Sequence, residues 1–239
     1  MKKRLFFSLA IIAAFSIGFT ASDEDLIEKD NPQTEEETVD ERIPSVIPED
    51  LREQVEEYIE VYDGVTPPNV EGAYFMNPEI LVKSTLSYDT PGSTFLSEYM
   101  NFTNQDMENN TIDMTRVQGG GIEWMKGSGA FISGYDNNFT IYFNMAGEVN
   151  SVPVTEAIVV SGVKKDGGIG NLSWAFILKE KGNDPNGHVV PVGTIRSFID
   201  SDGMSEKTEW PYEGQYARSW SIVDNLKDGP SLPYAHMAW

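Results

Sequence analysis

Residues 138–145, Asn-Phe-Thr-Ile-Tyr-Phe-Asn-Met, are the stretch that decides the fold class of this chain. Large apolar residues occupy every second position from Phe139 to Met145, and polar or amphipathic residues stand between them. Successive side chains of a β-strand point to opposite faces, so this period of two indicates a strand rather than a helix. The stretch therefore predicts a half-buried β-strand.

The same alternation recurs from Gly72 onward, and residues 174–178 predict a strand that is buried on both faces. Short segments rich in Asp, Asn and Gly stand between the strands and favour tight turns. Eight or nine short strands joined mostly by hairpins predict an all-β fold, an antiparallel β-barrel, with a β-sandwich as the alternative. The further predicted strands are 73–75, 80–87, 98–103, 112–115, 130–133, 157–163 and 193–200.

The N-terminus has the pattern of a secretory signal peptide over residues 1–22. Three basic residues precede an apolar run at 5–19, and the small pair Ala21-Ser22 leads into an acidic stretch. The run is shorter than the ~20 residues that cross a bilayer. We therefore expect an exported protein in the periplasm, at the cell surface or secreted, with no transmembrane helix after signal removal.

The end of this signal resembles that of a bacterial lipoprotein, in which small residues lead into an acylated cysteine. Ser22 stands in the place of that cysteine, and the chain contains no cysteine at all. A serine hydroxyl cannot form the thioether that carries the lipid. Two interpretations follow: a soluble exported protein, which we favour, or a lipoprotein relative that lacks its anchor.

Residues 23–47 are acidic and short of aromatic residues, which predicts a disordered tether. Residues 48–239 are expected to form one domain, a helix followed by the barrel and an aromatic C-terminal tail. Val55 and Ile59 lie at helical spacing on an apolar face, and the helix is expected to stop before Gly64.

The net charge of -21 bears on the partners of this protein. Nucleic-acid binding depends on Lys and Arg side chains that displace phosphate counterions, so nucleic acid is excluded as the expected partner. An anionic membrane surface is disfavoured for the same reason.

The entry to the first predicted strand resembles that of lipocalins, which carry a Gly-x-Trp pair there. Gly72-Ala73-Tyr74 supplies Gly-x-Tyr, and a late arginine that packs across this aromatic is matched by Arg196. The resemblance implies a lipocalin-like barrel with one end closed by Tyr74. Residues 44–210 also resemble uncharacterised exported proteins of Bacteroidota that often begin as lipoproteins, through the stretches 67–72, 138–143 and 184–187. That resemblance implies a cell-envelope location.

A barrel interior predicts a binding protein rather than an enzyme. We expect a small apolar or amphipathic ligand in the cavity, although a small eight-strand barrel can equally be filled by its own side chains. No organic cofactor is expected. The candidate ligand-binding residues are Tyr74, Trp124, Phe143, Trp174 and Phe176.

Aromatic residues near the C-terminus support an alternative function, a surface module that binds a glycan or a protein. Its candidate residues are Trp210, Tyr212, Tyr216 and Trp220, although such a tail can also seal one barrel end. A third hypothesis is a carboxylate-based hydrolase, which needs two acids at a defined separation. Its candidates are Glu71, Glu98, Glu123 and Glu156, and the sequence singles out no pair.

Two further sets of residues bear on metal binding and catalysis. Asp200, Asp202 and Glu206 surround a glycine turn and are candidate calcium ligands, the alternative being a plain hairpin loop. His188 and His236 are the only histidines, and without a neighbouring second histidine each is expected to be structural or exposed.

Overall fold

The strands of this chain are long and rich in β-branched and aromatic residues, and they occupy most of its folded part. The structure is a computed structural model that describes residues 42–47 and 49–213. Two short helices precede eleven strands: α1 Ile43–Val46, α2 Glu49–Glu56, β1 Gly72–Met76, β2 Glu79–Ser84, β3 Thr94–Phe95, β4 Glu98–Asp106, β5 Thr111–Gln118, β6 Glu123–Tyr135, β7 Asn138–Val149, β8 Val152–Lys165, β9 Gly168–Lys181, β10 Ile195–Asp200 and β11 Met204–Thr208.

All eleven strands belong to one antiparallel sheet. Eight of them pair in a closed ring, in the order β11-β1-β4-β5-β6-β7-β8-β9, and β9 pairs back to β11. The remaining three strands, β10, β2 and β3, continue from the other part of the β9 edge. The all-β antiparallel prediction is confirmed, and the single continuous sheet differs from a sandwich of two separate sheets.

One strand, β9, belongs to the ring and also pairs with the first strand of the extension. Its first residues pair with β11, where Ile169 lies opposite Ser205. Its later residues pair with β10, where Trp174 lies opposite Phe198. The ring thus closes at one end of β9, and the extension β10-β2-β3 covers the rest of that edge.

The main apolar core lies inside the ring, because side chains from strands all round it meet there. In β7, every second residue from Phe139 to Met145 belongs to this core, as the alternation predicts. Trp174 and Phe176 join it from β9. Each such side chain contributes ~1.5–3 kcal/mol when it is removed from water.

A second apolar cluster covers the outer face of the sheet. Ile43 of α1 and Val55 of α2 pack with Tyr142 and Val159, which point away from the ring interior. Tyr142 is therefore only 1% exposed, and the prediction that β7 is half-buried is wrong over this part of the strand. Sequence alternation identifies two faces of a strand, but the helices decide that both are buried.

The predicted boundaries near the N-terminus need correction. Residues 43–46, placed in the disordered tether, form α1, and Ile43 and Ile47 are buried because they cover the sheet. The predicted helix corresponds to α2, which ends at Glu56, well before Gly64. Ile59 still packs in the outer cluster from the turn that follows.

Several predictions fall outside the described residues. These are the signal peptide at 1–22, the tether up to residue 41, and Tyr216, Trp220 and His236. Within the described part of the chain, neither helix is long and apolar enough to cross a membrane.

Candidate functional site

A charged residue, Arg116, points into the ring interior, where the main apolar core lies. It continues the inward-pointing series of β5 after Ile112 and Met114, and it is only 1% exposed. A buried guanidinium is costly unless anionic partners surround it. The strands next to β5 and across the ring supply those partners.

Three glutamates from three different strands surround the Arg116 guanidinium. Its Nη1 lies 3.2 Å from Glu98 Oε2, and its Nη2 forms an ion pair with Glu123 Oε1. Nη2 also lies 3.6 Å from Glu156 Oε2. Trp174 completes the surroundings, since the guanidinium carbon lies 4.3 Å from the centroid of its ring, within cation–π range.

Glu79 of β2 is the fourth carboxyl group at this place, and it is buried. Its Oε1 accepts a hydrogen bond of 2.8 Å from Trp174 Nε1. Glu79 is 1% exposed and faces the same charged group of residues, although it forms no ion pair with Arg116. We call Glu79, Glu98, Arg116, Glu123 and Glu156 the acidic cluster.

Burial raises the proton affinity of three of these carboxyl groups, those of Glu79, Glu98 and Glu156. Burial raises the pKa of Glu79 to about 8 and that of Glu156 to about 8, and it raises the pKa of Glu98 well above its ordinary value. Burial acts to lower the pKa of Arg116, but Glu123, Glu98 and Glu156 outweigh it and raise that pKa. Arg116 therefore stays charged, while protons neutralise part of the acid.

A cavity of about 90 Å³ adjoins the acidic cluster. One side carries the carboxyl groups of Glu79, Glu123 and Glu156. The other side is an aromatic wall, in which Trp174 and Phe198 stack with ring centroids 4.8 Å apart. The cavity thus offers an apolar surface and a charged surface to the same occupant.

Apolar and polar residues share the partly buried part of the cavity lining. Phe95, Val149 and Val190 are its apolar members. Gln118, Glu123 and His188 are polar members that are also only partly buried. Arg196 also lines the cavity, but Asp89 neutralises it through Nε–Oδ2 and Nη2–Oδ1 contacts of 2.7 and 2.9 Å. Arg196 therefore adds no unpaired positive charge.

The structure separates the five candidate ligand-binding residues. Trp174 and Phe176 line the cavity. Tyr74 and Phe143 lie fully buried in the interior core and do not line it. Trp124 points to the other face of β6, because its neighbours along the strand point inward, so it is not a lining residue.

The predicted packing of Arg196 across Tyr74 is wrong. Arg196 lies on β10, where it pairs with Asp89, whereas Tyr74 lies on β1. Lys164 takes that place instead, with Nζ 5.1 Å from the Tyr74 ring centroid and a hydrogen bond of 2.9 Å to the phenolic oxygen. Ring closure brings Lys164 of β8 within reach of Tyr74 on β1, which the spacing of the sequence does not reveal.

The candidate calcium ligands form a hairpin rather than one ligand set. Asp200 is buried and accepts a hydrogen bond of 2.7 Å from the Ser205 hydroxyl. Asp202 accepts one of 3.0 Å from the Met204 backbone, and Glu206 is exposed on β11. Across residues 42–47 and 49–213, no three acidic or histidine side chains are placed to hold a metal ion.

Three of the four acids considered for the hydrolase hypothesis converge on Arg116, namely Glu98, Glu123 and Glu156. Glu71 lies elsewhere, exposed, and accepts a hydrogen bond from the Gln105 backbone. Sequence reasoning missed Arg116 and Glu79. The signal for Arg116 was present, since it follows Ile112 and Met114 at the period that marks inward-pointing residues.

The C-terminal aromatic residues that the structure describes join a cluster on the outer surface. Trp210 and Tyr212 lie 5.4 Å apart between ring centroids, and Tyr212 lies 5.7 Å from Tyr99. Tyr99 in turn lies 4.4 Å from Phe75. These four half-buried rings form a surface aromatic cluster, distinct from the cavity.

His188, expected to be structural or exposed, is half-buried and lines the cavity.

Comparison with known proteins returned no relatives: no protein-family model, curated protein or solved structure matches the chain.

Proposed function

We propose that this protein is a non-catalytic binding protein that holds a small amphipathic ligand in the cavity beside Trp174 and Phe176. The observation that carries the proposal is the pairing of surfaces in one cavity, an aromatic wall facing buried carboxyl groups. Binding sites commonly combine a mostly apolar lining with a few placed polar groups.

The size of the cavity limits what enters it. About 90 Å³ is smaller than the ~150 Å³ apolar cavity that admits benzene. The cavity therefore suits a head group rather than a whole lipid. The partly exposed Phe95, Val149 and Val190 would accompany an apolar tail towards solvent.

Filling the cavity at Val190 tests this proposal. Val190→Trp places a large ring among the lining residues, so we expect loss of ligand binding by at least about tenfold, or ~1.4 kcal/mol. Isothermal titration calorimetry and tryptophan fluorescence with six-carbon amphiphiles (1-hexanol, hexylammonium, hexanoate) supply the measurement.

The matched control is Val192→Trp, two residues along the chain at an exposed position that does not line the cavity. It should bind as the wild type does, and so should Trp210→Ala. If none of the amphiphiles binds the wild type, or if Val190→Trp binds them unchanged, the cavity proposal is wrong.

The surface aromatic cluster favours a second candidate function, the binding of a glycan or protein through Trp210 and Tyr212. Half-buried rings on an outer face can stack on sugars. A glycan array separates the two candidates, because Trp210→Ala would abolish glycan binding and Val190→Trp would not.

The proposed site of action is outside the cytoplasm, on the basis of the signal at residues 1–22. Mass spectrometry of protein recovered from the envelope and the medium should show a mature chain that begins near residue 23. A cytoplasmic protein that keeps its signal would contradict export.

A further inference from the structure

Carboxyl groups outnumber cations on the charged side of the cavity. We infer that the ligand of the proposed binding site carries a small organic cation of the ammonium class, and that its charged group lies beside Glu156 and Glu79. This inference rests on the proposed function, and it adds the charge and the chemical class of the head group.

The first argument is the balance of charge. Three buried carboxyl groups and the half-buried one of Glu123 face one guanidinium, so full ionisation would leave the acidic cluster with a net charge of about -3. Asp200 lies near Glu79 and adds further acid, while Asp89 neutralises Arg196. An uncompensated charge of this kind is not tolerated in a protein interior, so a cation or protons must balance it. The ionisable groups around the cavity are Glu79, Glu98, Arg116, Glu123, Glu156, His188, Arg196 and Asp200.

The second argument is a buried carboxylate oxygen that has no hydrogen-bond donor. Glu156 is 3% exposed and lines the cavity, yet its Oε2 accepts no hydrogen bond. The nearest cationic atom is Arg116 Nη2, at 3.6 Å, which is beyond hydrogen-bond distance. A donor placed in the cavity would satisfy this oxygen.

The third argument separates an organic cation from a metal ion. Trp174, Phe176 and Phe198 stack on one another along the wall of the cavity. Aromatic rings attract ammonium groups through their faces and accept the methylene groups attached to them. A hydrated metal ion gains little from such a wall, and no metal-ligand geometry is present among residues 42–47 and 49–213.

In the absence of a ligand, protons balance part of the negative charge at the cavity. Because burial raises the pKa of Glu79 and of Glu156 to about 8, protons occupy these groups at neutral pH. An ammonium ion, which keeps its charge up to about pH 10, would replace a proton when it binds. Binding should therefore release protons and become tighter as the pH rises from 7 to 8.5.

Three matched probes test this inference in isothermal titration calorimetry: hexylammonium, 1-hexanol and hexanoate, at equal ionic strength. We expect the full chain to bind hexylammonium at least about tenfold more tightly than 1-hexanol, and more tightly still at pH 8.5. Titrations in buffers with different ionisation enthalpies should show that protons are released.

Glu156→Gln keeps the shape of the side chain and removes its charge. We expect it to weaken hexylammonium binding about tenfold and 1-hexanol binding much less, and an unchanged circular dichroism spectrum shows that the variant is folded. Glu180→Gln, an exposed acid on β9, is the control and should change neither. If Glu156→Gln does not fold, Glu79→Gln serves the same purpose.

The outcomes distinguish this inference from the function on which it rests. If 1-hexanol or hexanoate binds as tightly as hexylammonium, the cavity binds ligands but the ammonium class is wrong. If potassium or calcium ions, added as chlorides, bind more tightly than hexylammonium, the inference of an organic cation is wrong. If no probe binds at all, the proposed function fails together with the inference.

Discussion

Arg116 holds the interior charges of this protein together. Its two terminal nitrogens contact Glu98, Glu123 and Glu156, which come from β4, β6 and β8. Such a buried group of ions contributes less to stability than its contacts suggest, because desolvation of each charge offsets the attraction between them. Its position next to a cavity agrees with the proposed binding function.

Glu79 makes the stability of the protein depend on pH. Burial raises its pKa from 4.5 to about 8, so the folded state binds a proton more tightly than the unfolded state. The resulting stabilisation is complete below about pH 4.5 and is lost as the pH rises through about 8. We expect Glu79→Gln, which cannot ionise, to gain stability relative to the wild type by roughly 4 kcal/mol between pH 5 and 8.5.

Urea unfolding at pH 5, 7 and 8.5 measures this difference. Glu180→Gln, at an exposed position, is the control and should follow the wild type at every pH. A difference between Glu79→Gln and the wild type that stays constant with pH would show that Glu79 is ionised throughout.

At the scale of elements, the helices act as a cover on the outside of the sheet. Ile43 of α1 and Val55 of α2 bury Tyr142 and Val159, whose face of the sheet would otherwise meet water. The hydroxyl of Thr140 on β7 accepts a hydrogen bond of 2.7 Å from the Tyr62 backbone, so the chain after α2 also lies on this face.

Truncation of Ile43 tests whether α1 contributes to the domain. Ile43→Ala removes a fully buried side chain, and we expect it to lower the free energy of unfolding by roughly 2–4 kcal/mol. Pro44→Ser, at the next and exposed position, is the matched control and should cost less than about 0.5 kcal/mol. Equal stability of the two variants would mean that the folded domain begins after α1.

The helices and strands also show which structural features can be predicted from the sequence. The alternation from Phe139 to Met145 predicts β7 and its inward face correctly, because period two is a local property of a strand. The helix prediction captured the apolar stripe of Val55 and Ile59 but extended α2 too far. Local patterns reveal which residues avoid water, and not which surface covers them.

At the scale of the whole molecule, pairing of β9 with β11 closes the ring. Gly168 lies where the two strands meet, and a Cβ atom there would lie 2.4 Å from the Ser205 carbonyl oxygen. The close approach of the two backbones therefore requires glycine.

We expect Gly168→Ala to separate β9 from β11 and to cost about 1–3 kcal/mol of stability. Amide hydrogen exchange in β11 should be faster in Gly168→Ala than in the wild type, whereas exchange in β7 should be the same in both. Gly129→Asn is the control, because a Cβ atom there meets nothing within 4 Å and its φ of 63° suits asparagine. Unchanged protection of β11 in Gly168→Ala would show that the ring closes without this contact.

The sequence by itself determined the all-β class, the inward face of β7 and the acidic charge, since each depends on composition or on neighbouring residues. Only the tertiary structure decided that the ring closes and that Glu79, Glu98, Arg116, Glu123 and Glu156 meet beside one cavity. These residues come from five strands, and strand pairing over long sequence separations brings them together. A local pattern specifies the face on which a side chain lies, but its partners depend on which strands become neighbours.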